Sequence, residues 1–365
     1  MSSLSRLALA PLSAAYGAAM RARLALYRRG AFTTHRINAP VLSVGNLTAG
    51  GTGKTPLVEW LARAVARSEG RRVCVLTRGY GREDARRRVV VCDGARVLAG
   101  VGEAGDEPLL LAERLVSFGV AIVCDADRVA AARFAIEELG SEVFILDDGF
   151  QHLRVARDLN VATLDATDPW GGGRLLPAGL LREPPSELKR ADCIVITRAE
   201  LAEDLDGLRA QAQRLSDGRP VFAARTRTVS VEMITPSLSL APPSSAVSSS
   251  QPRVPHRVAA FCGVGNPRAF FSNLRRDGYE VRHVRAFADH HGYTQAEVDD
   301  LVREAHRVGA EALVTTAKDA VKLRAMRLDL PCYVVEIELE IDDEDGVMRL
   351  VREAIAAGEK RKRSN

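Results

Sequence analysis

No stretch of the 365-residue chain reaches the about 18 uncharged apolar residues that a membrane-spanning helix needs, so an integral membrane bundle is excluded. Cysteine is sparse: Cys74, Cys92, Cys124, Cys193, Cys262 and Cys332 form no CxxC pair. Most sit in apolar runs such as VCVLT, AIVCDA and AAFCG, where cysteine serves as a small buried hydrophobe. That argues against a disulfide framework or a zinc site and fits a reducing cytosol. Acid is missing from the first 58 residues, where Arg6, Arg21, Arg23, Arg28, Arg29, Arg36 and Lys54 stand unopposed. The tail from Glu359 sets Lys360, Arg361, Lys362 and Arg363 against one acid. The whole chain carries only +4, so its body is mildly acidic, and the asymmetry points to an anionic partner at the amino end.

What is present describes a folded chain. Hydrophobic residues make up 46% and charged residues 27%, which excludes global disorder, and the length suits about two domains. Residues 3–29 read as an amphipathic helix, with Tyr16, Met20, Leu24 and Tyr27 on one face and arginines around them. A helix lying in an anionic membrane interface fits this pattern. A helix packed on its own domain fits it too. A signal peptide fits poorly, because the basic residues mostly follow the apolar part.

From Pro40 to about Arg198, apolar runs alternate with helical patterns. The runs are 41–45, 72–77, 121–125, 142–148, 159–165 and 193–197. Continuous Val/Ile/Leu strands alternating with helices predict a mostly parallel sheet covered on both faces, with ligands beyond the carboxyl ends of its strands. Residues 236–255 are Ser/Pro-rich and read as a loop. A second, smaller α/β unit follows, with strand-then-turn patterns at 257–265 and 311–319. It also has a helix over 293–309 whose Thr294 and Glu297 are spaced as a capping box, and an alternating strand over 333–341. The expected division is a helix over 1–30, a nucleotide- and lipid-binding α/β domain over 31–220, a smaller domain over 221–342, and a carboxyl-terminal helix and tail over 343–365.

The first strand runs into Gly45-Asn46-Leu47-Thr48-Ala49-Gly50-Gly51-Thr52-Gly53-Lys54-Thr55-Pro56, and a helical pattern follows at once. Strand, glycine loop, Lys-Thr and helix make a phosphate-binding arrangement. Glycines let backbone N–H groups approach phosphate oxygens, and the helix start adds a favourable dipole. The expected cradle is Thr48 to Thr55, with Lys54 on the β- and γ-phosphates and the Thr55 hydroxyl on Mg²⁺. The first glycine of the strict pattern is replaced by Thr48. A second apolar strand ends in Asp147-Asp148, which either hold Mg²⁺ or cap a turn.

Four further positions carry charge where phosphoryl transfer needs it, and each has an ordinary structural reading beside the functional one. Asp106 stands at a helix start in EAGDEP, as a base or as a cap. Arg78 and Arg128 each follow a strand, facing phosphate or solvent. His290, beside Asp289 in FADHHGYT, is a tuned imidazole or an idle loop residue. Lys318-Asp319 could also face the cleft.

Together SVGNLTAGGTGKTP, LTRGYGR, EAGDEP, ILDDGFQH, RDLN, LLPAGLLREP, FADHHGYT and TTAKDAVKL resemble the tetraacyldisaccharide 4′-kinase family over nearly the whole chain. The resemblance implies two α/β domains joined by a small β linker, with ATP in the cleft. It implies transfer of the γ-phosphate of ATP to the 4′-hydroxyl of a tetraacyl disaccharide 1-phosphate, with Mg²⁺, at the cytoplasmic face of the inner membrane. It makes Asp106 the base with His290 as its partner, puts Asp147 and Asp148 at the metal, and sets Arg128, His152, Arg182 and Glu183 toward the lipid. Asp106 and His290 would come from different lobes, so closure of the two lobes would complete the site.

Three other classes compete. A switch ATPase would share GGTGKT, but Ala49 stands where partition-type ATPases carry an extra lysine, and no guanine-specifying NKxD occurs. Nucleic-acid binding through the basic ends lacks an aromatic stacking platform. A ligase would make an acyl phosphate rather than a stable sugar phosphate.

Overall fold

The computed structural model describes residues 9–234 and 255–364. Residues 3–8 of the amino-terminal segment and nearly all of the Ser/Pro-rich stretch 236–255 lie outside the described residues.

Among the described residues, twelve strands form one continuous sheet in the order β10-β9-β11-β12-β8-β7-β6-β1-β5-β2-β4-β3. They are β1 Val41–Asn46, β2 Val73–Thr77, β3 Val89–Asp93, β4 Ala121–Cys124, β5 Val143–Asp147, β6 Leu159–Asp165, β7 Cys193–Thr197, β8 Val221–Met233, β9 Arg257–Cys262, β10 Glu280–Ala286, β11 Ala312–Thr316 and β12 Cys332–Ile341. The helices are α1 Ala10–Arg28, α2 Lys54–Glu69, α3 Val101–Ala104, α4 Asp106–Leu115, α5 Arg128–Leu139, α6 Leu205–Leu215, α7 Pro267–Arg276, α8 Gln295–Arg307, α9 Ala317–Leu323 and α10 Glu344–Ser364.

The first lobe is the parallel run β7-β6-β1-β5-β2-β4, with β3 antiparallel at its edge. Its central strands are buried along their whole length, because helices cover both faces. Leu57, Val58, Leu61, Ala62 and Val65 recur at helical spacing and turn α2 onto one face. Val129, Ala131, Ala132 and Ala135 do the same for α5 on the other. Gly70 and Gly140, at φ 58° and 61°, end the two helices in the left-handed conformation that glycine tolerates. The second lobe is the parallel set β10-β9-β11-β12. Long strands β8 and β12 pair antiparallel and carry the sheet from one lobe into the other. They serve as the β linker that the resemblance implied.

Chain order reverses at β1, whose neighbours are β5 on one side and β6 on the other. A crevice opens at such a reversal, beyond the carboxyl ends of the strands. The glycine loop leaves β1 at this point.

The structure refines three readings of the sequence. The stripe Tyr16, Met20, Leu24 and Tyr27 faces inward: Leu24 is 3% exposed, the Tyr16 hydroxyl donates to the Arg182 carbonyl at 3.0 Å, and Arg28 pairs with Glu187. Packing on its own domain therefore claims that face. The outer face instead shows Leu12, Leu26 and, just beyond the helix, Phe32. The run 311–319 is a strand followed directly by helix α9 rather than by a turn, because Thr316 caps the helix by accepting from the Asp319 amide. The basic tail continues α10, and Arg361 pairs with the buried carboxylate of Asp158. The Thr294/Glu297 capping box is present as expected.

Candidate active site

Between the lobes lies a cleft of about 360 Å³. One wall is the glycine loop from Gly50 to Pro56 at the start of α2. Gly53 takes φ 74°, the left-handed conformation that glycine tolerates, directly before the first turn of α2. Lys54 donates to Asn46 at 3.0 Å and lies 3.5 Å from Asp148. The loop is braced from behind: Thr197 donates to the Thr52 carbonyl at 2.8 Å and Arg198 to the Gly51 carbonyl at 2.9 Å.

Thr48 and Ala49 depart from the expected cradle. The Ala49 amide donates to the Leu180 carbonyl at 2.7 Å, and Thr48 bridges Leu181. Both are spent on anchoring the LPAGLL segment, so the cleft wall begins at Gly50. The loop lacks the first glycine of the usual pattern because it turns inward two residues later.

At the end of β5 the two aspartates divide their tasks. Asp147 is buried and accepts from the Thr77 hydroxyl at 2.8 Å. Burial and the charges of Glu107 and Asp148 push its carboxyl up to about 6. Asp148 adopts φ 52° and faces Lys54 and Arg182, the latter donating at 2.7 Å. Burial works against its charge, but those two cations hold its carboxyl below the usual range.

The opposite wall comes from the second lobe. His290, at φ 60°, places Nδ1 2.8 Å from Asp106 Oδ1 at the first turn of α4. This pair joins the two lobes in the structure. Lys318 holds the imidazole from the far side: its Nζ lies 3.3 Å from His290 Nε2 and 2.8 Å from both Glu107 and Asp289. An ammonium has donors only, so Nε2 accepts and Nδ1–H donates to Asp106. Burial acts to raise the Asp106 carboxyl, but the His290 hydrogen bond and the charges of Lys318 and Lys322 outweigh it and hold it at about 2. The Asp106 bond raises His290 above its ordinary value, against burial and Lys318.

The remaining expected residues fall on either side of this constellation. Arg182 lines the cleft. Arg128 is buried at the start of α5, bonded to the Asp125 carbonyl. His152 is half-buried among Arg128, Arg157 and Arg154; that burial and those charges lower it to about 4, and its Nε2 has no hydrogen-bond partner. Arg78 is exposed and lies over the Tyr80 ring, outside the cleft wall. Glu183 is 0% exposed and pairs with Arg190, which stacks on Phe150. That buried pair keeps Glu183 off the cleft wall.

Sequence reading passed over several groups that shape the site. Asn46 positions Lys54, Tyr80 and Glu107 line the cleft, and Lys322 stands behind Asp106. Lys318 and Lys322 are four residues apart, a helical spacing that TTAKDAVKL displays and that a strand-then-turn reading concealed. The apolar end of the cleft, with Val264, Phe270, Leu274, Val335, Ile337 and Leu339, is assembled from the turn after β9, helix α7 and strand β12 and has no linear signature.

Known proteins resemble this chain in sequence and fold. A model of the family described as tetraacyldisaccharide-1-P 4′-kinase matches residues 5–356. The chain is 42% identical over 337 residues to the tetraacyldisaccharide 4′-kinase of Geobacter metallireducens, covering 92% of this chain and 94% of that one. It is 44% identical to the protein of the same name from an Anaeromyxobacter species, covering 98% and 94%. The crystal structure of LpxK from Aquifex aeolicus in complex with ATP superposes with a TM-score of 0.72 at 31% identity, covering 96% of this chain and 99% of that one. On the family match, the two relatives and the shared fold, this chain belongs to the tetraacyldisaccharide 4′-kinase family.

Proposed function

We propose that the chain phosphorylates the 4′-hydroxyl of a tetraacyl disaccharide 1-phosphate from ATP, using the cleft between its lobes. One observation carries this reading: the glycine loop with Lys54 and the Asp106–His290 pair form opposite walls of one cleft. A switch ATPase needs the first wall and has no use for the second.

ATP would lay its phosphates on Gly50 to Thr55 and its base in the apolar end of the cleft. Lys54 and Arg182 stand where charge builds on the γ-phosphoryl group, and electrostatic stabilisation is the main work of such a site. The acceptor hydroxyl gives its proton to the Asp106–His290 pair, its oxygen attacks the γ-phosphorus, and ADP leaves.

The residues present fit Mg²⁺. Asp147 and Asp148 crowd negative charge beside Glu107, and Asp148 Oδ1 is buried without a hydrogen bond. Among the described residues no three His, Cys, Asp or Glu converge on one point. That suits a cation held by one or two carboxylates, the Thr55 hydroxyl and substrate phosphates rather than by a protein cage. When bound, it would neutralise the β- and γ-phosphate oxygens.

No described helix is long and apolar enough to cross a membrane. A four-chain lipid stays in its bilayer, so the enzyme must work at the surface, which we place at the cytoplasmic face of the inner membrane. The outer face of α1, with Leu12 58% exposed, and the exposed arginines Arg21 and Arg29 of the same segment suit that contact. Tyr16 ties the inner face of α1 to the Arg182 backbone, so the membrane-facing helix abuts the cleft.

The test is a phosphate-transfer assay with labelled ATP, Mg²⁺ and the tetraacyl disaccharide 1-phosphate in detergent. Wild type is expected to make the bisphosphorylated lipid, and Lys54→Ala and Asp106→Ala to lose about 10²-fold or more. ATP hydrolysis without any lipid product would replace this reading with the switch ATPase.

A further inference from the structure

Behind the Asp106–His290 pair lies a second set of charges that the proposed chemistry leaves unused. Lys322, on α9 of the second lobe, is nearly buried, with a side chain 9% exposed. Its Nζ lies 3.3 Å from Asp106 Oδ2 and 2.9 Å from Asp319 Oδ1, and 5.3 Å from the centre of the Tyr293 ring. It is aligned for a hydrogen bond to neither carboxylate, so it acts as a point charge shared between them. Asp319 is 0% exposed, and its other oxygen accepts from the Gly263 amide at 2.9 Å and the Thr316 hydroxyl at 2.7 Å. Asp319 is thereby fixed to the ends of β9 and β11, and Lys322 is fixed to Asp319. Lys322 does not line the cleft, whereas Lys318, one turn earlier, does.

We propose that Lys322, anchored by Asp319, is a positioning residue that holds Asp106 ionised and turned toward His290. The inference rests on the reading of Asp106–His290 as the proton-accepting pair. Its logic is electrostatic. Asp106 and Asp319 are both buried, and the Lys322 ammonium lies 3.3 Å from one and 2.9 Å from the other, where it offsets the charge on the Oδ2 side of Asp106 that His290 does not reach. With its Oδ2 side held by Lys322, Asp106 keeps Oδ1 on His290 Nδ1, which fixes the imidazole tautomer and leaves Nε2 as an acceptor. The charged groups around Asp106 are His290 and Asp289 from the loop after β10, Lys318, Asp319 and Lys322 from α9, and Glu107 from its own helix. The loop after β2 comes close through the Tyr80 backbone carbonyl, near Gly105, rather than through a charge.

The experiment is the pH profile of kcat, with KM for ATP, for wild type, Lys322→Met, Lys322→Arg and the double variant Lys322→Met/Asp319→Asn. The double variant removes both buried charges and keeps the question open should Lys322→Met fail to fold. Losing Lys322 is expected to lower kcat about 10-fold or more at neutral pH. It should move the acid limb up by about one pH unit and leave KM for ATP within about two-fold. Lys322→Arg should restore much of the wild-type profile. A fall in kcat equal at every pH, or no fall, in whichever of the two Met variants folds overturns the inference. Asp106→Asn run alongside separates the two claims. Full activity there removes the reading of the pair itself, while an inactive Asp106→Asn beside an unaltered Lys322→Met removes only the role of Lys322.

Discussion

Asp106 shows how one buried carboxylate can serve both the chemistry and the fold. Its folded-state value of about 2 lies below the about 3.9 of an unfolded chain, so its ionised form stabilises the protein. The sign follows from that order. The contribution is fully present above about pH 4 and is lost as pH falls toward 2, and it amounts to about 2 kcal/mol. The stability gap between wild type and Asp106→Asn, measured by urea unfolding, should therefore be widest near pH 6 and shrink by about half by pH 3. A gap that stays constant over that range would show that the Asp106 charge does not contribute. Asp147 is the opposite case, a buried carboxylate raised by its neighbours, which suits a site kept for a cation rather than for stability.

At the level of single elements, α1 divides its work between two faces. Tyr16 and Arg28 bind the helix to the LLREP segment and to the 3-10 turn Pro185–Arg190, and Leu24 is buried on the same side. Leu12 and Leu26 face outward. Leu24→Ala should cost about 2–3 kcal/mol of unfolding free energy. Leu12→Asp with Leu26→Asp should leave the thermal midpoint within about 2 °C, because exposed substitutions away from contacts change stability little. The same pair should reduce flotation of the protein with anionic vesicles several-fold. Equal vesicle binding by wild type and the double aspartate variant would place the membrane contact elsewhere.

Across the whole molecule, the two lobes meet at a backbone-to-backbone contact. A Cβ added at Gly265 would stand 2.2 Å from the Gly51 nitrogen in the glycine loop. Beside it, Asn266 donates to Asp165 at 3.0 Å and to Thr167 at 2.9 Å, which ties the turn after β9 to the first lobe. Gly265→Ala should push the lobes apart at the phosphate end of the cleft. The expected result is a rise of about 10-fold or more in KM for ATP with a smaller loss of thermal stability, since overpacking of this kind costs about 1–3 kcal/mol. An unchanged KM would mean that the contact is not kept when nucleotide binds.

The sequence alone determined the parts of this protein that local chemistry dictates. Strands β1, β5 and β6 are buried throughout and mostly apolar because both their faces are covered, so their runs could be read directly. Gly50 to Thr55 announced a phosphate loop because the backbone needs glycines there and the helix must follow at once. The motifs around Asp106, Asp147 and His290 placed the family. Tertiary structure decided the rest, because each remaining feature joins residues distant in the chain. Strand β8 escaped notice since only its first four residues are buried, leaving its longer half without a strong apolar pattern. The inward turn of Tyr16 and Leu24 depended on a surface more than 150 residues away, which periodicity cannot identify. Ala49 lost its place in the cradle to a carbonyl from Leu180, and Glu183 lost its exposure to Arg190. The Asp106–His290–Lys318–Lys322 cluster exists only because β8 and β12 carry the second lobe back over the end of β1.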